Sequence, residues 1–191
     1  SGVISGTGAV TKAGAGTFSV NGANTYTGLT TVSAGTLDGS GTVLGDLTVD
    51  SGARLGAGDA GVGELTIGSA GNQSTVTVNG EIEITVNAVT TPGTDFDQLN
   101  VNGTLALGAT ASLITNGSTT SSGDIVLIDN DGTAPADHTG TFNGLAEGAT
   151  VTINSQSFLI SYVGGDGNDV VLNAANQAPV AVDDPGHSTD E

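Results

Sequence analysis

Thr11 to Leu37 reads TKAGAGTFSVNGANTYTGLTTVSAGTL, and the fold follows from what this stretch can do with its apolar residues. Two short runs inside it, Thr17-Phe18-Ser19-Val20 and Leu29-Thr30-Thr31-Val32-Ser33, alternate small polar with apolar residues, and each is closed by a Gly or Asn turn. A period of two puts the apolar side chains on one face of an extended strand. Runs this short cannot bury that face alone. The chain keeps supplying copies of the same design, so each copy must cover its neighbour in a stack, which is a solenoid.

The template of a small residue, then aliphatics at every second place, then a turn recurs at Gly16–Gly22, Gly45–Asp50, Gly63–Gly68, Ser74–Gly80, Asp97–Gly103 and Gly103–Gly108. The irregular spacing predicts rungs joined by loops of different length, and no segment shows helical periodicity. Two loops interrupt the pattern. Gly56–Gly63 (GAGDAGVG) is too rich in Gly for a strand, and Val89–Asp95 (VTTPGTD) carries the Pro92-Gly93 pair of an edge turn. Between them Glu81–Val86 alternates acid and aliphatic, which predicts a strand whose two glutamates face solvent.

The opening stretch also resembles the autotransporter-associated β-strand repeat of the passenger regions of large bacterial surface and secreted proteins. The likeness is carried by Gly14-Ala15-Gly16-Thr17, Gly22-Ala23-Asn24-Thr25-Tyr26-Thr27-Gly28 and Ala34-Gly35-Thr36-Leu37. It implies an all-β, right-handed parallel β-helix (β-solenoid) carried outside the bacterial cell. It implies no chemistry, because fold and function separate easily.

Composition narrows the partners. With four Phe, two Tyr and no Trp, the core must be built from aliphatic ladders, and 32 glycines without a collagen period are turn residues. Lys12 and Arg54 stand against twenty acids, for a net charge of -18, which speaks against nucleic acid or an anionic membrane as partner and favours a divalent cation. There is no Cys for a zinc site or a disulfide framework, and no apolar run of membrane-spanning length. The chain opens inside the repeat pattern, without a basic and apolar leader, as a fragment of a longer precursor would.

From about Ser112 the texture changes. The polar loop Asn116–Gly123 leads to the apolar run Ile125–Ile128, and then to longer strands over Ala149–Asn154, Ser157–Val163 and Asp169–Leu172 separated by tight turns. These predict a C-terminal antiparallel hairpin cap on the open end of the stack. The runs IDNDG, GTFNGL and YVGGDGNDVVL also resemble the terminal segment that follows such strand repeats in long bacterial surface proteins. Asn176–Glu191 (NQAPVAVDDPGHSTDE) shifts to Pro and acid, and its opening resembles a cadherin-like or immunoglobulin-like module. We therefore expect solenoid repeats over 1–111, the solenoid end and cap over 112–175, and a linker with the start of a next module over 176–191.

The sharpest candidate for chemistry is Gly164-Gly165-Asp166-Gly167-Asn168-Asp169-Val170-Val171-Leu172, which fits the calcium nonapeptide Gly-Gly-x-Gly-x-Asp-x-aliphatic-x at every specified place. Calcium would take the Asp169 carboxylate and turn carbonyls, with Asp166 and Asn168 alongside. Such sites lie between successive copies, and here there is one. The competing and preferred reading is a Gly-rich hairpin turn whose Asp and Asn bond the backbone. Asp129-Asn130-Asp131-Gly132 fails as an EF-hand loop because its Gly comes too early. The pair Asp95 and Asp97 reads as a solvated charge run. Asp183 and Asp184 stand between that reading and calcium, since the cadherin-like resemblance implies metal at module junctions.

Catalysis finds little to work with. Uronate lyases need a cationic or metal partner and a base, and the two histidines, His138 and His187, lie in loop or linker sequence without a nucleophile pattern. Paired carboxylates could hydrolyse a glycoside, but nothing singles out one pair. Tyr26 could stack on sugar and more often such a residue packs on its own turn. An ice-binding face would need Thr rows on consecutive rungs, and none is evident along the sequence.

The sequence thus predicts a non-catalytic structural or display module, a stalk, in a large exported bacterial surface protein with an adhesion or matrix role. No cofactor is required, calcium being the one the sequence offers. The expected partners are neighbouring modules of the same polypeptide, with no nucleic acid and no membrane insertion. Alternatives are a calcium- or glycan-binding module, a carbohydrate-active β-helix enzyme, and a self-assembling extracellular fibre subunit.

Overall fold

Each rung of the protein is too thin to hold itself together, and the structure shows how neighbours complete it. The coordinates are a computed structural model, and it describes residues 2–120, 123–131 and 137–175. Going along the chain, the first rung carries β1 (Val10–Lys12) and β2 (Thr17–Ser19), and the second β3 (Thr30–Val32) and β4 (Gly35–Asp38). The third holds β5 (Thr42–Val43), β6 (Leu47–Val49) and β7 (Ala53–Gly56); the fourth holds β8 (Glu64–Ile67), β9 (Ser74–Val78) and β10 (Glu81–Thr85). The fifth holds β11 (Gln98–Val101), β12 (Gly103–Leu107) and β13 (Ser112–Asn116), and the sixth β14 (Ile125–Asn130) and β15 (His138–Thr139).

Among the described residues these strands form three sheets that wrap one narrow core. One face runs β1-β3-β6-β9-β12-β15, a second β2-β4-β7-β10-β13, and a third β5-β8-β11-β14. Every pairing within these series is parallel. The protein is an all-β parallel β-solenoid, as its alternation demanded. The parallel stacking continues past Ala111, since β13 pairs with β10, β14 with β11 and β15 with β12.

The core consists of in-register columns. Phe18, Leu37, Leu55, Ile82 and Leu113 stack on the second face, and Val43, Ile67 and Val101 on the third. Leu37, Leu55, Ile67 and Ile82 are wholly inaccessible to solvent, and each such aliphatic side chain contributes about 1.5–3 kcal/mol by leaving water. Glu81 and Glu83 of β10 point outward but are not free in solvent. Arg54, one rung below, donates from Nη2 to Glu81 at 2.8 Å and from Nη1 to Glu83 at 2.9 Å.

The stack ends where pairing changes sense. β16 (Thr150–Ile153), β17 (Gln156–Gly164) and β18 (Asp169–Ala174) form an antiparallel unit, and β18 runs antiparallel to the last rung's β14. This is the expected cap. Phe158, Ile160 and Leu172 are fully buried in it, and Tyr162 lies 6.2 Å from Phe142 between ring centroids. The Tyr162 hydroxyl accepts the Phe142 N–H at 3.0 Å and donates to Leu145 O at 2.7 Å, so the polar end of a buried ring is satisfied. Residues 176–191, with the cadherin-like opening, lie outside the described residues.

Candidate functional site

The residues that fit the calcium nonapeptide join β17 to β18. Gly164 pairs with Asp169, and the Gly167 N–H donates to Gly164 O at 2.7 Å, which closes a tight turn. Gly165 has φ +54, and a Cβ there would collide with the Asp169 carboxylate, so glycine is what lets that carboxylate fold back over the turn. Asp169 is 6% exposed, and its Oδ1 accepts the Asn130 N–H at 2.8 Å. The geometry is that of a Gly-rich hairpin turn, with its Asp bonded to the sixth rung of the stack.

What the turn packs against was not visible in the sequence. Burial, with lesser contributions from Asp129, Asp166 and Asp131, pushes the Asp169 carboxyl up to about 6, although the Asn130 N–H works in the other direction. Burial also raises Asp129, helped by Asp131, Asp166 and Glu64. The failed EF-hand sequence and the hairpin turn therefore meet in space. Among the described residues no group of three or more His, Cys, Asp or Glu side chains is arranged to hold a metal ion. Asp183 and Asp184 lie outside the described residues.

His138 stands at the same end, and it is not in a loop. It belongs to β15 and occupies the last place of an inward column through Val10, Thr30, Leu47, Val76 and Leu105. Its ring meets that of Tyr162 edge-on at 5.5 Å. Nδ1 lies 3.2 Å from Asn168 O and Nε2 3.1 Å from Gly140 O. His187 falls outside the described residues.

Asp97 corrects the expectation of a solvated pair. It is 2% exposed, with Oδ1 accepting the Gly63 N–H at 2.8 Å and Oδ2 the Thr85 N–H at 2.7 Å. Burial raises its pKa, and these bonds oppose the rise. Asp97 is thus a tie between successive rungs. It borders a groove of ≈ 340 Å³ shared with Asp38 and Glu83. Glu83 is occupied by Arg54 and by the Asn116 Nδ2–H, and Asp97 by its two backbone bonds. Asp38 Oδ1 alone in that groove is buried without a hydrogen-bond partner, whereas two-carboxylate hydrolysis needs an available pair.

Two surface readings are also resolved. Tyr26 is 1% exposed and its hydroxyl lies 2.7 Å from Thr30 Oγ1, so it packs inside its own corner and offers no stacking face. The Thr row judged missing is present: Thr11, Thr31, Thr48, Thr77, Ala106 and Thr139 pair in register on the outside of the first face, one alanine interrupting five threonines. No sequence period could reveal it, because loops of unequal length separate its members.

Residues 10–38 match a family model described as the passenger-associated-transport-repeat. The matched stretch spans β1 to β4, one stacking step of the solenoid. A repeat of the passenger type implies an exported protein, surface-bound or secreted. No curated protein matches the chain, and the comparisons give no support to a cadherin-like or immunoglobulin-like module.

Proposed function

We propose that the chain is a rigid, non-catalytic spacer in the passenger region of an exported bacterial surface protein, a stalk that holds other modules away from the cell. One observation carries this reading. The inward columns run without a break through successive rungs, so the molecule's organisation is spent on length and stiffness along one axis. At about 4.8 Å per rung, six rungs extend roughly 25–30 Å. The carboxylates most withdrawn from solvent are engaged in backbone bonds between rungs or between stack and cap.

Adhesion or matrix formation follows if the spacer presents a neighbouring binding module. The test uses the purified chain against a glycan array, insoluble polysaccharides and a reducing-end release assay. A spacer gives no retention and no product. Retention that is lost when Thr48 and Thr77 are both changed to Asp would instead make the threonine face a binding surface, and release of reducing ends would make the chain an enzyme.

A further inference from the structure

We propose that the first rung is a docking edge for a second copy of this chain, and that two copies meet head to head through β1 in a closed dimer. The inference goes beyond the stalk reading and does not rest on it.

The first observation is how the first rung differs from the second. Among the described residues β1 and β2 each lie at the margin of their sheets, with no strand on the far side. Val10 and Phe18 are only partly buried against the core, whereas Thr30 and Leu37, their partners on the second rung, are wholly inaccessible to solvent. Phe18 lines two open grooves, one of ≈ 310 Å³ beside Val3 and Ile4 and one of ≈ 410 Å³ beside Val10. The main chain points the same way. The Val10 N–H donates to Leu29 O at 2.9 Å and Lys12 O accepts the Ser33 N–H at 2.9 Å, so both residues turn their main-chain groups to the second rung. Thr11, between them, turns its N–H and C=O to the open side, as alternation along a strand requires.

The second observation is charge, and it selects the occupant. All twenty acids of the chain come at Asp38 or later. The one charged side chain before that is Lys12, whose ammonium is bonded to the Gly14 and Ala34 carbonyls. Edge strands are ordinarily guarded by charges, Pro or bulges, and β1 and β2 present neither an acid nor a Pro. The other end of the stack is closed by the antiparallel cap, with Asp124, Asp131 and Asp166 exposed around it. Copies of net charge -18 repel one another, and the repulsion is least when their uncharged first rungs face each other. A two-fold axis makes such an edge its own mate. Because Thr11 is the middle residue of β1, the axis sets it opposite its counterpart, where antiparallel strands exchange both main-chain bonds at a Cα separation of about 5.5 Å. The capped ends stay outside the contact, so assembly stops at two.

Sedimentation velocity on the full chain, from about 1 to about 200 μM, reads the mass. The expected result is a monomer that converts to a dimer with concentration and to nothing larger, more readily as salt screens the acids of the two bodies. The double variant Thr11→Glu, Thr17→Glu puts two carboxylates on the open edge at exposed, outward positions, and its dimerisation should be weaker by at least about 10-fold. The chain has no Cys, so Thr11→Cys should form an intermolecular disulfide under mild oxidation. Thr139→Cys, exposed at the other end of the same outward row, should not. A monomer at every concentration and salt, association that weakens as salt is added, a dimer untouched by the double variant, equal cross-linking of the two cysteine variants, or growth beyond a dimer overturns the proposal. Should the double variant not fold, the comparison of the two cysteine variants decides.

Discussion

Lys12 holds on the first rung the inward place that Val32 holds on the second, and the same column continues through Val49, Val78 and Leu107. The ammonium is tolerated in an aliphatic column because Nζ donates to Gly14 O at 2.6 Å, Ala34 O at 2.8 Å and Ala13 O at 3.3 Å. The methylene stem covers the end of the core while the head joins the corners of two rungs.

Lys12→Met keeps the stem and removes the donors. The carbonyls left behind in a partly buried corner should lower stability by about 1–3 kcal/mol, read as a shift of the urea midpoint without a change of slope. An unchanged midpoint would mean that water replaces the ammonium and the side chain matters only for packing.

Tyr26→Phe strands the wholly buried Thr30 hydroxyl, whose partner in the structure is the Tyr26 hydroxyl at 2.7 Å. We expect a loss of about 1–2 kcal/mol. Thr30 sits in an inward column between Val10 and Leu47, so adding Thr30→Val removes both polar partners and supplies an aliphatic. The double variant should therefore be more stable than Tyr26→Phe alone. A double-mutant cycle with no coupling would mean that the tyrosine hydroxyl does not act through Thr30.

Gly45→Ala probes a corner at which the backbones of successive rungs lie close together. A Cβ at Gly45 would collide with Gly28 O, and one at Gly28 with Gly8 O, so these glycines form a column in which backbone lies on backbone. No flexible side chain is there to yield. The expected loss is about 1–3 kcal/mol, whereas Gly61→Ala, where nothing lies within 4 Å, should stay within about 0.5 kcal/mol. Comparable melting temperatures for the two variants would contradict the column.

Stability should fall as pH rises from mild acid towards neutrality. Asp97, Asp129 and Asp169 are all raised, first by burial, so the folded chain binds protons more tightly than the unfolded one. Their ionisation works against folding, and for Asp169 the loss runs between the ordinary carboxylate value and about 6. Urea midpoints across this range should decline with pH. Asp97→Asn should flatten part of the decline and lower stability throughout, since an amide cannot accept both the Gly63 and the Thr85 N–H.

Much of the architecture was legible in residue order. The alternation of Leu47, Thr48 and Val49 or of Ile82, Glu83 and Ile84 names the strand and its inner face, and the closely spaced strands after Thr150 name an antiparallel cap. Tyr26 could be assigned to its own corner because its partner Thr30 is four residues away. The errors share one cause. Asp97 next to Asp95 looked like surface, and His138 beside a polar loop looked like linker. Their partners Gly63, Thr85 and Asn168 lie on other rungs or in the cap.

Sequence alone thus determined the strands, their buried faces, the turns and the fact that copies must stack, since these depend on side-chain periodicity and on turn residues a few bonds apart. Only the tertiary structure decided which residue lies above which. It brought Lys12 under Val32, lined up the threonines from Thr11 to Thr139, and set His138 against the cap turn. Rung-to-rung register is the outcome of closing loops of unequal length while every aliphatic column stays filled. That balance is struck across the whole stack, and no local pattern measures it.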